Sequence, residues 1–256
     1  MVEGFDLKNI KWTTGWKNLP ECYLRIKTPG VTSVIGSEIA DPEMEEWIRK
    51  VGQAKVDEIL KKAGYRGTAM HIFIENFVKI LAKSKDPSEA LKYTQENTPQ
   101  QLVYEKIPKY KIDEGRALFY KFYYSDWSNA YINLIATELG IYSPTLFYRG
   151  KVDVFFQDNV FGPVITDFKT SNGYIKKGSV KEYKYFLQLG GYASAVEEMY
   201  KDKELKIKRS TILCINTKTE GLQEIILDGT ELEHYKNEFK TICKEWHIKH
   251  NQGYLI

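Results

Sequence analysis

The sequence is poor in cysteine, has no long apolar run and carries little net charge, and each of these absences excludes a class of protein. Its three cysteines, Cys22, Cys214 and Cys243, are widely spaced and include no Cys-X-X-Cys pair, so a disulfide framework is not expected. No stretch is long enough to span a bilayer, and the first residues, which include Glu3 and Asp6, lack the basic and apolar regions of a signal peptide. We therefore expect a soluble, intracellular protein with no membrane partner.

The charge balance excludes a uniformly basic protein. The chain has 37 Lys and Arg residues against 34 Asp and Glu residues, so any surface for nucleic acid must come from local segregation of charge. With 256 residues, of which 43% are hydrophobic, the chain can bury a full core. It contains no internal repeat or low-complexity segment, and we expect a single domain over residues 1–256.

Hydrophobic spacing predicts a mostly helical N-terminal part, residues 1–131. The first thirty residues, which are interrupted by glycine and proline, indicate a loop or short strands. Asp41-Pro42 supply the N-cap and first residue of a predicted helix that reaches Gly64 and is broken, if anywhere, around Gly52. Further helices are predicted after Gly67, from Asp86-Pro87, and as an aromatic helix over residues 113–131.

Residues 132–256 are predicted to contain a β-sheet. The strand candidates are residues 132–141, 145–156, 164–170, 211–216 and 222–227, which turn signals separate. A helix over about residues 180–200 lies between the third and fourth strands, and a last helix covers about residues 230–250. Hairpins joined by a crossover helix imply an α/β fold, with a central mixed sheet flanked by helices and a helical N-terminal elaboration.

An acid and a base interrupt the apolar third strand candidate. Residues two apart on a strand project from one face, so Asp167 and Lys169 are expected to stand side by side, with Phe168 on the opposite face. Buried charges need pairing, hydrogen bonds or a metal. The pair is therefore either a structural ion pair at a strand end or part of a catalytic site, and these residues alone leave both interpretations open.

Two further acids occupy apolar strand candidates. Glu138 lies in the first candidate and Asp153 in the second. If both strands neighbour the one that carries Asp167, the three carboxylates converge at one end of the sheet. Carboxylate oxygens are preferred ligands of Mg²⁺ and Mn²⁺, and such ions support phosphodiester hydrolysis with a nearby lysine.

Two residue pairs are spaced four apart on predicted helices, so each pair shares a helical face. His71 and Glu75 form the first pair, and His71 is either a metal ligand or an ordinary surface or core histidine. Gln188 and Tyr192 form the second, on either side of Gly190-Gly191. Glycines are poor helix formers, so these indicate a close backbone approach or tight helix-to-sheet packing.

In chain order, these motifs resemble the RecB-like branch of the PD-(D/E)XK nuclease superfamily, and within it the mitochondrial genome maintenance exonuclease and related phage or bacterial exonucleases. The similarity covers about residues 30 to 200. The matching segments are Gly30-Val31-Thr32-Ser33-Val34-Ile35, Gly67-Thr68-Ala69-Met70-His71 with Glu75, Glu138, Gly150-Lys151-Val152-Asp153, Asp167-Phe168-Lys169-Thr170-Ser171 and Gln188-Leu189-Gly190-Gly191-Tyr192.

The resemblance implies a restriction-endonuclease-like core and a role for each matched position. His71, Glu138, Asp153 and Asp167 would be the metal-binding residues, and Lys169 the catalytic lysine. Gln188 and Tyr192 would support the site and contact nucleic acid, together with Thr170 and Ser171. Asp153 lacks the proline that precedes this acid in the family's name, a departure common in this branch. Some relatives hold an iron–sulfur cluster with four cysteines, and three distant cysteines cannot supply that set, so no cluster is expected.

Two segments are candidates for holding nucleic acid. Lys176, Lys177, Lys181 and Lys184 follow the Asp-X-Lys strand and either contact phosphates or form a solvated face. The aromatic helix carries one stripe of Tyr120, Tyr124, Trp127 and Tyr131 and another of Phe119, Phe122 and Tyr123. Its side chains either stack on bases of a single strand or pack in the core.

The sequence therefore predicts an Mg²⁺- or Mn²⁺-dependent DNA exonuclease that acts on single strands or frayed duplex ends in replication, recombination or repair. Its partners are expected to be DNA and unidentified replication or recombination proteins, in the cytoplasm of a bacterium or a phage-infected cell. The alternatives are a structure-specific or restriction-type endonuclease, and an adaptor that binds nucleic acid without cleaving it.

Overall fold

The computed structural model describes residues 28–250 of the 256-residue chain. Cys22 and nearly all of the N-terminal segment predicted as a loop or short strands lie outside this range. The helices are α1 (Val31–Glu38), α2 (Pro42–Val51), α3 (Gln53–Ser84), α4 (Pro87–Glu96), α5 (Gln101–Tyr104), α6 (Lys109–Tyr123), α7 (Val180–Met199) and α8 (Gly229–Lys249). The strands are β1 (Leu134–Tyr142), β2 (Arg149–Asp158), β3 (Gly162–Ser171), β4 (Arg209–Asn216) and β5 (Leu222–Asp228).

The five strands in the described part of the chain form one mixed sheet in the order β1-β2-β3-β4-β5. β1, β2 and β3 are antiparallel neighbours, β3 and β4 are parallel, and β5 returns antiparallel to β4. Parallel neighbours need a crossover connection, and α7 supplies it. The predicted α/β fold, a mixed sheet flanked by helices with a mostly helical N-terminal part, is confirmed.

A separate hydrophobic core covers each face of the sheet. Side chains of α1, α7 and α8 pack on one face, where Ile165 and Ile212 are fully buried. Side chains of α3 and α6 pack on the other, against Phe168 and Leu213. The sheet is thus enclosed by helices, and the site described below lies where α3 meets β1, β2 and β3. Among the described residues, no helix combines the length and apolarity that crossing a bilayer requires.

The predicted break near Gly64 and Gly67 is wrong, because α3 runs unbroken from Gln53 to Ser84. Each glycine costs about 1 kcal/mol relative to alanine in a helix interior. The buried face that begins at Ala69 packs along the sheet and outweighs that cost. The break at Gly52 is confirmed, with a φ of +87° that glycine adopts readily.

The predicted aromatic helix over residues 113–131 is two elements. α6 ends at Tyr123, and a 3-10 helix follows, Asp126–Asn133. The change of direction packs the buried Tyr131 ring against Phe156, with centroids 4.9 Å apart. Phe119, Phe122 and Tyr131 are core residues, whereas Tyr124 is 77% exposed.

The paired glycines of α7 allow a close approach between helices. A Cβ atom on Gly190 would lie 2.5 Å from the backbone carbonyl of Tyr235 in α8. A Cβ on Gly191 would lie 3.0 Å from the Phe239 ring. The close approach that these glycines predicted is therefore helix against helix, and not helix against sheet.

Candidate active site

β1 and β2 depart from regular alternation at the same level of the sheet. Ala136 and Leu139, three residues apart, face the same core, as do Val152 and Phe155. In a regular strand, residues three apart point to opposite faces. Thr137 pairs with Val154 and Leu139 with Val152, which leaves the two intervening acids opposite each other. Glu138 and Asp153 therefore occupy positions that the alternation of a regular strand would not give them.

The irregularity is visible in the backbone dihedral angle of Glu138. Its φ is +50°, the left-handed region, which is uncommon for a residue other than glycine. Such conformations persist only where the surroundings impose them. Glu138 and Asp153 are thereby brought to one place at the edge of the cleft described below.

His71, Glu138 and Asp153 offer ligand atoms that all lie within 4.8 Å of one another. His71 reaches the two strands from α3, and its Nδ1 lies 3.3 Å from Asp153 Oδ2. That same carboxylate oxygen accepts a hydrogen bond from the Phe168 backbone N–H at 2.7 Å. One imidazole and two carboxylates are donors that a divalent transition metal accepts.

The His71–Asp153 pair is electrostatically matched. Burial opposes the charged imidazole, but the nearby carboxylate of Asp153 outweighs it and raises the pKa of His71. Burial likewise opposes the charged carboxylate, and attraction by His71 outweighs it and lowers the pKa of Asp153. A divalent cation bound here would replace the proton that the pair otherwise shares.

Asp167 and Lys169 stand side by side on β3, as predicted from the strand period. Lys169 Nζ lies 2.5 Å from Asp167 Oδ2, and Phe168 packs on the opposite face against Phe122, with ring centroids 5.5 Å apart. The other oxygen of Asp167 accepts a hydrogen bond from Gln188 Nε2 at 2.9 Å. Asp167 does not belong to the three-residue cluster, so its role as a metal ligand stays a prediction.

Burial tunes both members of this pair. It disfavours the charged carboxylate, which raises the pKa of Asp167 to about 6, with repulsion from Asp153 adding to the effect. Burial also opposes the charged form of Lys169, but attraction by Asp167 and Asp153 outweighs it and raises the lysine pKa. Lys169 is therefore a partly exposed cation, with a side chain that is 25% accessible, held beside the buried carboxylate of Asp167.

Gln188 and Tyr192 do not face a surface that nucleic acid could reach. They are 4% and 5% exposed, and Gln188 Nε2 donates to the Tyr192 hydroxyl at 2.9 Å as well as to Asp167. The prediction that they contact nucleic acid is wrong. Their spacing places both side chains on one face of α7, and that face is buried in the core. They support Asp167 from behind the sheet.

Sequence reasoning gave no role to Lys151 and Glu75. Lys151 contacts Glu138 directly, and burial of Glu138 outweighs this cation and raises the pKa of Glu138. Glu75 is 8% exposed, pairs with Lys79 and accepts a hydrogen bond from Thr137 at 3.4 Å. Lys151 precedes the motif acid by two residues and Glu75 follows His71 by four, which were the available signals.

A cleft of about 600 Å³ is lined by the metal-cluster residues together with Glu75, Lys151 and Lys169, whereas Asp167, Gln188 and Tyr192 lie outside its lining. α3 forms one wall and residues of β1, β2 and β3 form the other, with residues of α5 and the turn after it completing the lining. The lining includes Gly64, Gly67, Thr68, His71, Glu75, Gln101, Glu105, Glu138, Lys151, Asp153, Phe168, Lys169 and Thr170. The cleft has the size of a small-ligand pocket.

The other residues predicted to contact nucleic acid differ in their surroundings. Thr170 lines the cleft. Ser171 is buried and accepts a hydrogen bond from Lys181 Nζ at 3.3 Å. Lys176, Lys177 and Lys181 are exposed, whereas Lys184 is paired with Asp41 at 3.0 Å.

No protein-family model and no curated protein matches this chain. Among solved structures, it is similar to the crystal structure of a protein from Eubacterium rectale to which exonuclease activity is ascribed. The TM-score is 0.43 and the identity 12%, over 73% of this chain and 68% of the other. The function of this chain has to be argued from its own site.

Proposed function

We propose that the protein is a divalent-metal-dependent deoxyribonuclease of the RecB-like branch of the PD-(D/E)XK superfamily, acting as an exonuclease. The observation that supports it best is one cleft lined by a His, Glu and Asp cluster and by Lys169, which is paired with the buried Asp167. Two carboxylates and an imidazole suit an ion, and a neighbouring lysine suits a phosphate. Its place in replication, recombination or repair, and any protein partner there, belong to the same proposal.

His71, Glu138 and Asp153 would hold the ion, with Asp167 close by. A bound Mg²⁺ or Mn²⁺ polarises the phosphoryl oxygen and lowers the pKa of a water molecule. The imidazole favours Mn²⁺ over Mg²⁺, which prefers oxygen ligands alone.

The chain's own groups supply the remaining chemistry. Lys169 stays protonated and offers its ammonium group to the charge on the phosphate or to the attacking water. Asp167 orients Lys169, Gln188 fixes Asp167, and the Gln188 amide is fixed in turn by Tyr192. A reacting phosphate therefore meets a preorganised cation and not a mobile surface lysine.

The size of the cleft supports action on strand ends. About 600 Å³ suits one unstacked nucleotide with its phosphate better than an intact duplex. Restriction-type cleavage inside a duplex would need a wider channel. We therefore favour single strands or frayed ends as the substrate.

The test is cleavage of end-labelled linear single strands, linear duplexes and closed circles with Mg²⁺, with Mn²⁺ and with neither. Wild type should degrade the linear DNA only when a metal is present. Asp153→Asn and Lys169→Ala should each lose about a hundredfold or more in rate. Asp202→Asn and Lys244→Ala are matched controls at exposed positions and should keep full activity.

Each alternative has its own outcome. Cutting of closed circles would identify an endonuclease. Binding of DNA without cleavage under any metal would identify an adaptor. Full activity of Asp153→Asn and Lys169→Ala, with circular dichroism showing folded protein, would place the chemistry elsewhere.

A further inference from the structure

The loop after β3, residues 172–178, is fixed to the sheet at several points. Ile175 is buried in the core, and the Gln223 side chain of β5 binds both of its backbone groups. The Ile175 N–H donates to Gln223 Oε1 at 2.6 Å, and Gln223 Nε2 donates to the Ile175 carbonyl at 2.9 Å. Thr217 Oγ1 also donates to Asn172 Oδ1 at 2.7 Å. We call residues 172–178 the clamped loop.

The clamped loop presents an aromatic ring to solvent. Tyr174 is 63% exposed although the residue beside it is in the core. Its hydroxyl lies against Gly221, where an added Cβ atom would come within 2.5 Å of it. The glycine backbone therefore supports one end of the tyrosine, and any other residue there would displace it.

Lysines join the clamped loop to the proposed active site. Lys176 and Lys177 are exposed within the loop. Lys181 Nζ bonds to Ser171 and lies 6.0 Å from the centroid of the Tyr185 ring. Lys169 Nζ lies 5.8 Å from the centroid of that same ring. Lys169 and Lys181 thus lie over the same Tyr185 ring, and Lys181 also bonds to Ser171, the residue that precedes the clamped loop.

An aromatic platform beside such a row of cations fits a single-stranded nucleic acid. Every base offers a face that stacks on tyrosine, and lysines neutralise phosphates whatever the sequence. A protein partner would need an apolar or hydrogen-bonding surface, whereas the exposed loop side chains beside Tyr174 include two lysines and no aliphatic residue.

We infer that the clamped loop binds the single-stranded segment next to the scissile phosphate, with a base stacked on Tyr174 and phosphates beside Lys176, Lys177 and Lys181. The inference rests on the proposed function, since it names how the same site holds its substrate. Gln223 is a positioning residue that acts through the loop backbone.

The first experiment measures binding without cleavage. A fluorescein-labelled oligothymidine strand is titrated with protein in EDTA, and fluorescence anisotropy gives Kd. Tyr174→Ala should weaken binding about tenfold, and Tyr174→Phe should restore it. Tyr110→Ala, which removes a 53% exposed tyrosine near the start of α6, should leave Kd unchanged. Replacing Lys176 and Lys177 together by Ala should lower the slope of log Kd against log salt by about 0.7 per lost phosphate contact.

The second experiment separates positioning from chemistry. Gln223→Leu removes both hydrogen bonds to Ile175 at similar side-chain volume, so it should raise KM for the linear single strand and leave kcat unchanged. A fall in kcat with unchanged KM would contradict the positioning role of Gln223.

The outcomes distinguish this inference from the proposed function. If Tyr174→Ala binds within twofold of wild type, or if Tyr110→Ala weakens binding as much as Tyr174→Ala does, the clamped loop is not the platform. If wild type binds the strand as expected but cleaves nothing with any metal, the proposed function fails while the loop remains a binding site. No binding by wild type would overturn the inference directly.

Discussion

Glu138 combines a charged side chain with a backbone conformation that costs an ordinary residue about 1–2 kcal/mol. Glycine adopts this conformation without a penalty. We therefore expect Glu138→Gly to be about 1 kcal/mol more stable to urea than Glu138→Ala, because both variants lack the carboxylate and differ only in the backbone cost.

The control for this comparison is an exposed strand position with an ordinary φ. Glu224 on β5 meets that condition, and there the glycine variant should be less stable than the alanine variant. Equal stabilities of Glu138→Gly and Glu138→Ala would show that the backbone at this position is unstrained.

His247 makes stability depend on pH. It is 2% exposed, one ring nitrogen lies 2.8 Å from the Leu146 carbonyl, and burial lowers its pKa below the ordinary value of 6.5. Above pH 6.5 neither the folded nor the unfolded chain binds the proton, so the full contribution is present. As the pH falls through 6.5 toward the folded pKa, the unfolded chain takes up the proton first and stability is lost.

The measurement is the free energy of unfolding in urea at pH 7.5 and at pH 5.5. Wild type should lose more stability between these values of pH than His247→Gln, whatever the absolute stability of the variant. The same loss in both proteins would exclude His247 as the source.

At the residue scale, the sequence identified side chains better than it identified their surroundings. Asp153 and His71 were found by type and spacing, and they meet in the structure. The contact between Lys151 and Glu138 is not predictable from the sequence. It depends on the left-handed backbone conformation of Glu138, which no residue pattern indicates. The prediction that Gln188 contacts nucleic acid is wrong because helical spacing does not reveal which face of α7 is buried.

α3 is a structural element with two distinct halves. Most of its second half is buried between α6 and the sheet, and the wall of the cleft extends from Leu60 in the first half to Glu75 in the second. Gly64 lies in the first half, is exposed, and has nothing within 4 Å of an added Cβ atom. Gly64→Ala should therefore stabilise the protein by about 0.5–1 kcal/mol, measured by urea unfolding.

Gly115 on α6 is the matched comparison. An added Cβ atom there would lie 2.5 Å from the Ala69 Cβ and 2.8 Å from the Met70 backbone nitrogen, so the two helices would have to separate. Gly115→Ala should destabilise the protein by about 1–3 kcal/mol. If both glycine variants move stability in the same direction, the close contact between α3 and α6 is not the cause.

At the element scale, periodicity identified the helices and strands but not how helices join or end. The sequence from Gln53 to Ser84 predicts two helices because the low helix propensity of its glycines is a local property. The single helix is stabilised by the packing of its second half against residues far along the chain, which local propensity does not include. The aromatic run after Lys109 reads as one helix because its rings recur at helical spacing. The turn after Tyr123 follows from the place of Tyr131 against the sheet, which depends on residues far along the chain.

In the whole molecule, the candidate metal cluster joins the helical part to the sheet. His71 belongs to α3, whereas Glu138 and Asp153 belong to β1 and β2. The order of strands could be inferred from hairpins and one crossover helix. The convergence of the three side chains required the packing of α3 across the sheet, which residue spacing does not specify.

Because the cluster spans two parts of the fold, a bound ion should stabilise the folded chain as a whole. A ligand that binds only the folded state raises the free energy of unfolding by about 2.7 kcal/mol at a hundred times its Kd. Mn²⁺ should therefore raise the Tm of wild type, measured by calorimetry without DNA, and raise it more than Mg²⁺ because one ligand is an imidazole. Asp153→Asn should abolish the rise, whereas Asp202→Asn should retain it. An equal rise in both variants would mean that the ion binds away from His71, Glu138 and Asp153.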